Sequence, residues 1–234
     1  MVIAANLAAI RERIARAATR ASRDPRNVAL MAVSKTFLPE AMLEAYAAGQ
    51  RLFGESKVQE FADKAAALAG LEDAEFHMIG HLQSNKAAKA VELFHGVDSL
   101  DSAKLAARLN AAAEAIGKTL SVLIEINIGG EQAKSGIAPD SPELSEILNG
   151  AATWQRLRIR GLMTVPPYTE DPEGARLYFR KLRELRDQLA ARNLPAVSLE
   201  ELSMGMSHDF EVAIEEGSTC VRIGTAIFGE RTYM

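Results

Sequence analysis

Residues 119–127 read TLSVLIEIN, and this short stretch decides the fold. Val122, Leu123, Ile124 and Ile126 make this the clearest strand in the chain. A helical pattern over 101–116, closed by Gly117, precedes it. Another helical pattern over 142–152 follows, and then a strand over 157–165 that Pro166-Pro167 ends. Strand, helix, strand with buried strands is the pattern of a parallel sheet with helices outside.

The same alternation runs outward in both directions. Further strands are predicted over 27–34, 51–54, 75–79, 94–98, 197–202 and 219–223. Helices are predicted over 39–49, 57–68, 84–93, 174–192 and 208–216, with one extra helix over 6–22 in front. That makes eight strands, each but the last clearly followed by a helix. The count and the length favour a closed (β/α)8 TIM barrel with an extra N-terminal helix, occupying 1–234 as a single domain. No Gly-x-Gly-x-x-Gly follows the first strand, which speaks against a dinucleotide fold.

The composition narrows the function. The 234 residues carry a net charge of −4, so no global basic field recruits nucleic acid. No apolar run approaches the roughly 20 residues that span a membrane. The N-terminus is apolar only in patches, interrupted by Arg11 and Glu12, and reads as an amphipathic helix and not as a secretion signal. Cys220 is the single cysteine, which excludes an intrachain disulfide and fits a cytoplasmic, reducing setting.

In such a barrel, functional groups sit where strands pass into loops at the C-terminal face. The first strand ends in Ser34-Lys35-Thr36. Lys35 either snorkels to solvent or sits partly desolvated, where a depressed pKa frees a nucleophilic amine for a Schiff base. Position alone leaves both readings open. After strand seven comes Ser203-Met204-Gly205-Met206-Ser207, and after strand eight Gly224-Thr225-Ala226. Both are small, glycine-containing and hydroxyl-bearing, at the places where barrels recurrently bind phosphate. Ser207 is also suited to cap the helix that follows, and Thr225 to serve as a plain turn residue. A phosphate site opposite a lysine suggests a phosphorylated aldehyde, with pyridoxal 5′-phosphate (PLP) the obvious candidate. Alternation puts Val221 and Ile223 on one face of the last strand and Arg222 on the other, and an inward arginine needs an acceptor. Two acceptors are open: the cofactor's pyridine nitrogen, or a barrel glutamate such as Glu55 or Glu125.

The motifs AVSKT (32–36), FGESKVQE (53–60), HMIGHLQSNK (77–86), VDSLD (97–101), EQAKSGI (131–137), GLMTVPP (161–167), LSMGMSHDFEVAI (202–214) and GSTCVRIGTAIFGER (217–231) resemble the pyridoxal phosphate homeostasis protein family. That family is a single PLP-binding barrel similar to the N-terminal domain of alanine racemase. The resemblance implies that Lys35 holds PLP as an internal aldimine and that Arg222 faces the pyridine nitrogen. It implies that Ser207, Gly224 and Thr225 hold the phosphate, with Met204 packing by the ring. Ser56 stands where the family usually has Asn, at a position that also belongs to the cofactor site. A role in intracellular vitamin B6 homeostasis follows from the resemblance, with PLP-requiring apo-enzymes as possible recipients.

The expectation is therefore a monomeric carrier of PLP and not an enzyme. Racemisation needs acids or bases on both faces of the substrate carbon, and no second domain to supply one is recognisable. The rival reading is a small PLP-dependent racemase or lyase, with Tyr168 as the candidate second base. A third, more distant reading is a Schiff-base barrel without cofactor. His77 and His81 are four apart, but across a strand end and without a third ligand, so no metal is expected. Lys134 could reach the barrel mouth as a secondary amine, although ordinary exposure suits it better. Arg180, Arg183 and Arg186 alternate with Glu184 and Asp187 and read as a solvated helix face.

Overall fold

The structure, a computed structural model, describes residues 2–131 and 135–230. The chain opens with α1 (Val2–Arg20) and β1 (Ala29–Val33). Then follow α2 (Pro39–Ala47), β2 (Leu52–Glu55), α3 (Val58–Leu68), β3 (Glu75–Met78), α4 (Ala87–Leu93), β4 (Gly96–Leu100) and α5 (Ala103–Ala115). The second half runs β5 (Leu120–Glu125), α6 (Pro142–Gly150), β6 (Leu157–Met163), α7 (Arg176–Ala190), β7 (Val197–Ser203), α8 (Phe210–Glu215), β8 (Cys220–Ile223) and α9 (Thr225–Phe228). The eight strands pair in sequence order and close into a barrel, with β1 parallel to both β2 and β8. The predicted barrel is observed, strand for strand.

Local chemistry starts the helices where the sequence places them. Pro39 and Pro142 occupy the first helical turn, where a missing N–H is harmless. The hydroxyls of Ser102 and Ser141 accept the N–H groups of Leu105 and Leu144 and cap α5 and α6. Along each strand the side chains alternate between the lumen and the helix layer. Phe53 and Phe76 point outward with their rings 5.7 Å apart, and Phe76 meets Phe61 of α3, whose ring lies 4.8 Å from both Phe76 and Phe94.

The structure departs from the sequence reading at the end of the chain. β8 is followed by α9, a helix of one turn and too short to show a period. So short a helix leaves a gap in the outer ring, and α1 fills it. α1 packs on α8, α9 and α2, and the Asn6 amide donates to the Ile227 carbonyl at 2.8 Å. The extra helix thus does the work of the missing eighth one.

The arginines of α7 are also not merely solvated. Arg176, Arg180 and Arg183 converge on Glu216, just past α8, at 3.2, 2.8 and 3.2 Å. Hydrogen bonding from Arg180 leads the causes that hold the Glu216 carboxyl below its ordinary value. The folded state therefore keeps this stabilisation above the unfolded pKa of 4.5 and loses it as pH falls through the depressed folded value. Glu216→Gln is expected to lower stability by about 2 kcal/mol at neutral pH, between the worth of exposed and of buried pairs. The difference from wild type should shrink as pH falls below 4.5. Chemical denaturation at pH 7 and pH 3.5 checks both.

Candidate cofactor site at the carboxy-terminal mouth

Lys35 stands two residues past β1, half-buried, at the carboxy-terminal end of the barrel. Met31 of the same strand lines the lumen beside Leu123 and Cys220, so alternation turns Val33 to the inner face, and Lys35 follows in the turn that leaves the strand. The turn that presents Lys35 is held under strain. Thr36 has φ +69°, in the left-handed region that a β-branched residue avoids. Its N–H donates to Glu60 Oε1 at 2.5 Å. Lys64 sits behind this turn, donating to Glu60 at 2.8 Å, to Glu55 at 3.1 Å and to the Ser34 carbonyl at 3.2 Å. The Ser34 hydroxyl completes the cluster with a 2.8 Å bond to Glu55. Burial pushes the Glu55 carboxyl up, while Lys64 and Ser34 pull it back. Sequence reasoning missed this network. Its signal was a lysine inside the buried stripe of α3, between Phe61 and Leu68.

Arg222 is 3% exposed inside the lumen. Its two terminal nitrogens donate to Ser203 Oγ at 2.8 Å and to the Thr164 carbonyl at 2.7 Å. Neither predicted glutamate partner is bound to it: Glu55 lies outside the barrel against α3, and no ion pair joins Arg222 to Glu125 among the described residues. Burial lowers the Arg222 pKa, yet a guanidinium starts so high that it stays charged. Neutral acceptors hold it from one side, which leaves part of its five-donor fork for a ligand.

The two small loops lie at the same end. Gly205 adopts φ +96°, and a Cβ there would stand 2.5 Å from Ala213 Cβ and 2.9 Å from Phe210 Cα. Glycine is required both for the conformation and for the contact with α8. The Ser207 hydroxyl does not cap α8, as its position had suggested. The N-cap is Asp209, and its carboxylate turns back to accept the Met206 N–H at 2.7 Å. This buried aspartate went unnoticed in the sequence; burial raises its pKa, and the Met206 N–H bond and the charges of Arg222 and His208 oppose the rise. Gly224 and Thr225 begin α9, and the first amides of a helix have no partner within it. Met204 is fully buried between the two loops' strands, its carbonyl taken by the Ser218 hydroxyl at 2.7 Å. Ser56 follows inward-facing Gly54 by two residues and is half-buried at the rim.

The structure thus brings Lys35, Ser56, Met204, Ser207, Arg222, Gly224 and Thr225 to one end of the barrel. These residues fit PLP. The lumen offers a cation with donors to spare, the loops offer glycines that admit a close anion, and Glu125 at the mouth carries a buried oxygen, Oε2, with no hydrogen-bond partner. Lys134 lies outside the described residues. Tyr168 is 78% exposed, its ring 5.6 Å from that of His208. His77 and His81 pair separately with Asp98 at 2.9 Å and Asp101 at 3.1 Å, and no three-ligand metal cluster occurs among the described residues.

The opposite end of the lumen holds a cavity of about 200 Å³ that includes His77, Asp98, Glu201 and Cys220. Burial works against the His77 imidazolium, but the charge and hydrogen bond of Asp98 outweigh it and raise its pKa. Burial pushes the Cys220 thiol up to about 12, so the lone cysteine is inert.

Comparison with known proteins agrees with this geometry. The family described as "Alanine racemase, N-terminal domain" matches residues 5–232. The chain is 47% identical to the pyridoxal phosphate homeostasis protein of Aquifex aeolicus, over 97% of each chain. It is 45% identical to the protein of the same name from Escherichia coli K12, over 99% of this chain and 97% of that one. Among solved structures it is similar to PipY of Synechococcus elongatus PCC7942 with PLP bound. The TM-score is 0.84 at 38% identity, covering 97% of this chain and all of the other. An alanine racemase of Clostridium difficile 630 shares the fold, with a TM-score of 0.70 at 14% identity. No helix among the described residues is long and apolar enough to cross a membrane.

Proposed function

We propose, from the premise that this chain belongs to the alanine racemase N-terminal domain family and within it to the pyridoxal phosphate homeostasis proteins, that it binds PLP and contributes to intracellular vitamin B6 homeostasis. The observation that carries the reading is the convergence of Lys35, Arg222 and the two glycine loops on one mouth of the barrel. When bound, PLP supplies an aldehyde that links reversibly to primary amines. Every other part of the function belongs to the chain's own residues.

In this reading Lys35 provides the amine that holds the cofactor. The strained Thr36 turn and the Glu60–Lys64 pair behind it keep that amine at the mouth. Arg222 donates a hydrogen bond to the pyridine nitrogen. Arginine hardly releases a proton, so the nitrogen stays unprotonated and the ring is a weak electron sink. Ser207, Gly224 and Thr225 receive the phosphate, Met204 packs by the ring, and Ser56 lines the rim. A weak electron sink suits storage better than turnover. The relatives' name, homeostasis protein, points the same way. As part of the same proposal, the protein acts as a cytoplasmic monomer and passes PLP to apo-enzymes that require it.

Turnover assays test the reading. Reconstituted protein incubated with a panel of L- and D-amino acids should show no racemase, transaminase, decarboxylase or lyase activity beyond that of free PLP. Activity on the order of 10 s⁻¹, ordinary for an enzyme, would replace custody with catalysis. Loss of that activity in Tyr168→Phe would then identify the second base.

A further inference from the structure

Glu125 ends β5 at the same mouth, and the reading just given does not use it. Leu123 of the same strand lines the lumen, so alternation turns Glu125 inward as well. The side chain is 5% exposed as a residue, and its two oxygens differ. The Ser135 hydroxyl donates to Oε1 at 3.0 Å, whereas Oε2 is buried without any hydrogen-bond partner. Among the described residues Glu55 carries the other unpartnered oxygen, but it lies outside the barrel and already has a lysine on its Oε1. Glu125 has no cation bonded to it among the described residues. The backbone around it is shaped to cover it. Gly136 takes φ +95°, and a Cβ there would stand 3.1 Å from Glu125 Cγ. The Ile137 N–H donates to the Glu125 carbonyl at 2.9 Å.

A buried acceptor held against its desolvation and left open on one side calls for a donor from a ligand. We propose that Glu125 Oε2 receives the amino group of a primary amine that exchanges with Lys35 for the cofactor. This rests on the PLP-binding reading and deepens it by naming the incoming group. A primary amine arrives at neutral pH as an ammonium, which matches the oxygen in charge and in hydrogen-bond sense. It is not nucleophilic until it loses a proton. That proton passes to Oε2, and the Lys35 amine set free by the exchange takes one proton up, so none is gained or lost. Burial first, and the charge of Asp101 second among the raising causes, move the Glu125 carboxyl toward the range where it accepts a proton well; Ser135, Arg222 and His81 oppose them.

The test uses Glu125→Gln, which keeps the shape and an acceptor for Ser135 but cannot take a proton. Wild-type and variant proteins are loaded with PLP, and loss of the protein-bound visible band is followed on mixing with three probes. Ethanolamine stands for small free amines and Nα-acetyl-lysine for a protein lysine, both protonated at neutral pH. Hydroxylamine, largely unprotonated there, needs no acceptor. Exchange with one or both amines should slow at least tenfold in the variant, and the amine that slows identifies the source. Hydroxylamine should react at the same rate in both proteins within about twofold. Equal rates with both amines, or an equal slowing with hydroxylamine, would overturn the proposal. The apo-proteins give a second readout. With a raised folded pKa, wild type loses stability as pH rises through that value, so the melting temperature of Glu125→Gln should gain on wild type above pH 4.5. A deficit of the variant that is uniform with pH would mark Glu125 as purely structural and also overturn the idea. Absence of any band in wild type would instead defeat the PLP reading itself, so the two failures are distinguishable.

Discussion

Lys35→Ala is expected to remove the visible absorption that PLP gains on the protein, while the fold survives. The residue lies beyond β1 on a half-buried turn, and truncating it leaves no cavity among the core side chains. The melting temperature should stay within a few degrees of wild type, since changes away from the core are usually small. The cofactor should then be held only by contacts to its phosphate and ring, with affinity reduced by about a hundredfold, roughly 3 kcal/mol. Absorbance and fluorescence titrations of the two proteins measure both effects. A variant that kept the band would assign the amine elsewhere on the chain and break the link between the Thr36 turn and function.

Gly205→Ala is the second large effect. The position combines two demands that alanine cannot meet. At φ +96° an L-residue is strained by about 1–2 kcal/mol. A methyl group 2.5 Å from Ala213 Cβ must also displace α8 or the loop, and overpacking of this kind adds about 1–3 kcal/mol. The expected loss of stability is thus about 3 kcal/mol. The displaced loop carries Met206 and Ser207, whose geometry Asp209 fixes through the Met206 N–H. PLP binding should weaken at least tenfold even where the variant remains folded. Inorganic phosphate competition against PLP should weaken in parallel, which separates loss of the phosphate cradle from loss of the lysine. A stable variant with unchanged phosphate and PLP affinity would show that the loop does not hold the anion.

The barrel was legible because its strands are apolar runs bounded by Pro, Gly and Asp, with helices of clear period between them. The stretch 119–127 shows why: buried on both faces, β5 has no option but an interior place in a sheet. What escaped the sequence depended on contacts between distant elements. α9 has one turn and no readable period, so its need for α1 as a neighbour was hidden. Arg176, Arg180 and Arg183 sit at helical spacing that a solvated face shares, and only the approach of α8 turns them onto Glu216. Ser207 has the right chemistry for an N-cap, but Asp209 lies closer to the first turn of α8 and takes the place. Inward facing of Arg222 was correct from alternation, yet its acceptors, a carbonyl and a serine, carry no charge signal to find. The strain at Thr36 and the open oxygen of Glu125 are properties of three-dimensional packing, invisible in a string of letters.

In the proposed function one amine, Lys35, holds the cofactor. Borohydride reduction of the PLP-loaded wild-type protein fixes the covalent link, and peptide mapping by mass spectrometry locates it. A single phosphopyridoxyl label is expected, on Lys35, absent when reduction precedes addition of PLP. A predominant label on another lysine, or none in protein that retains PLP through gel filtration, would contradict it.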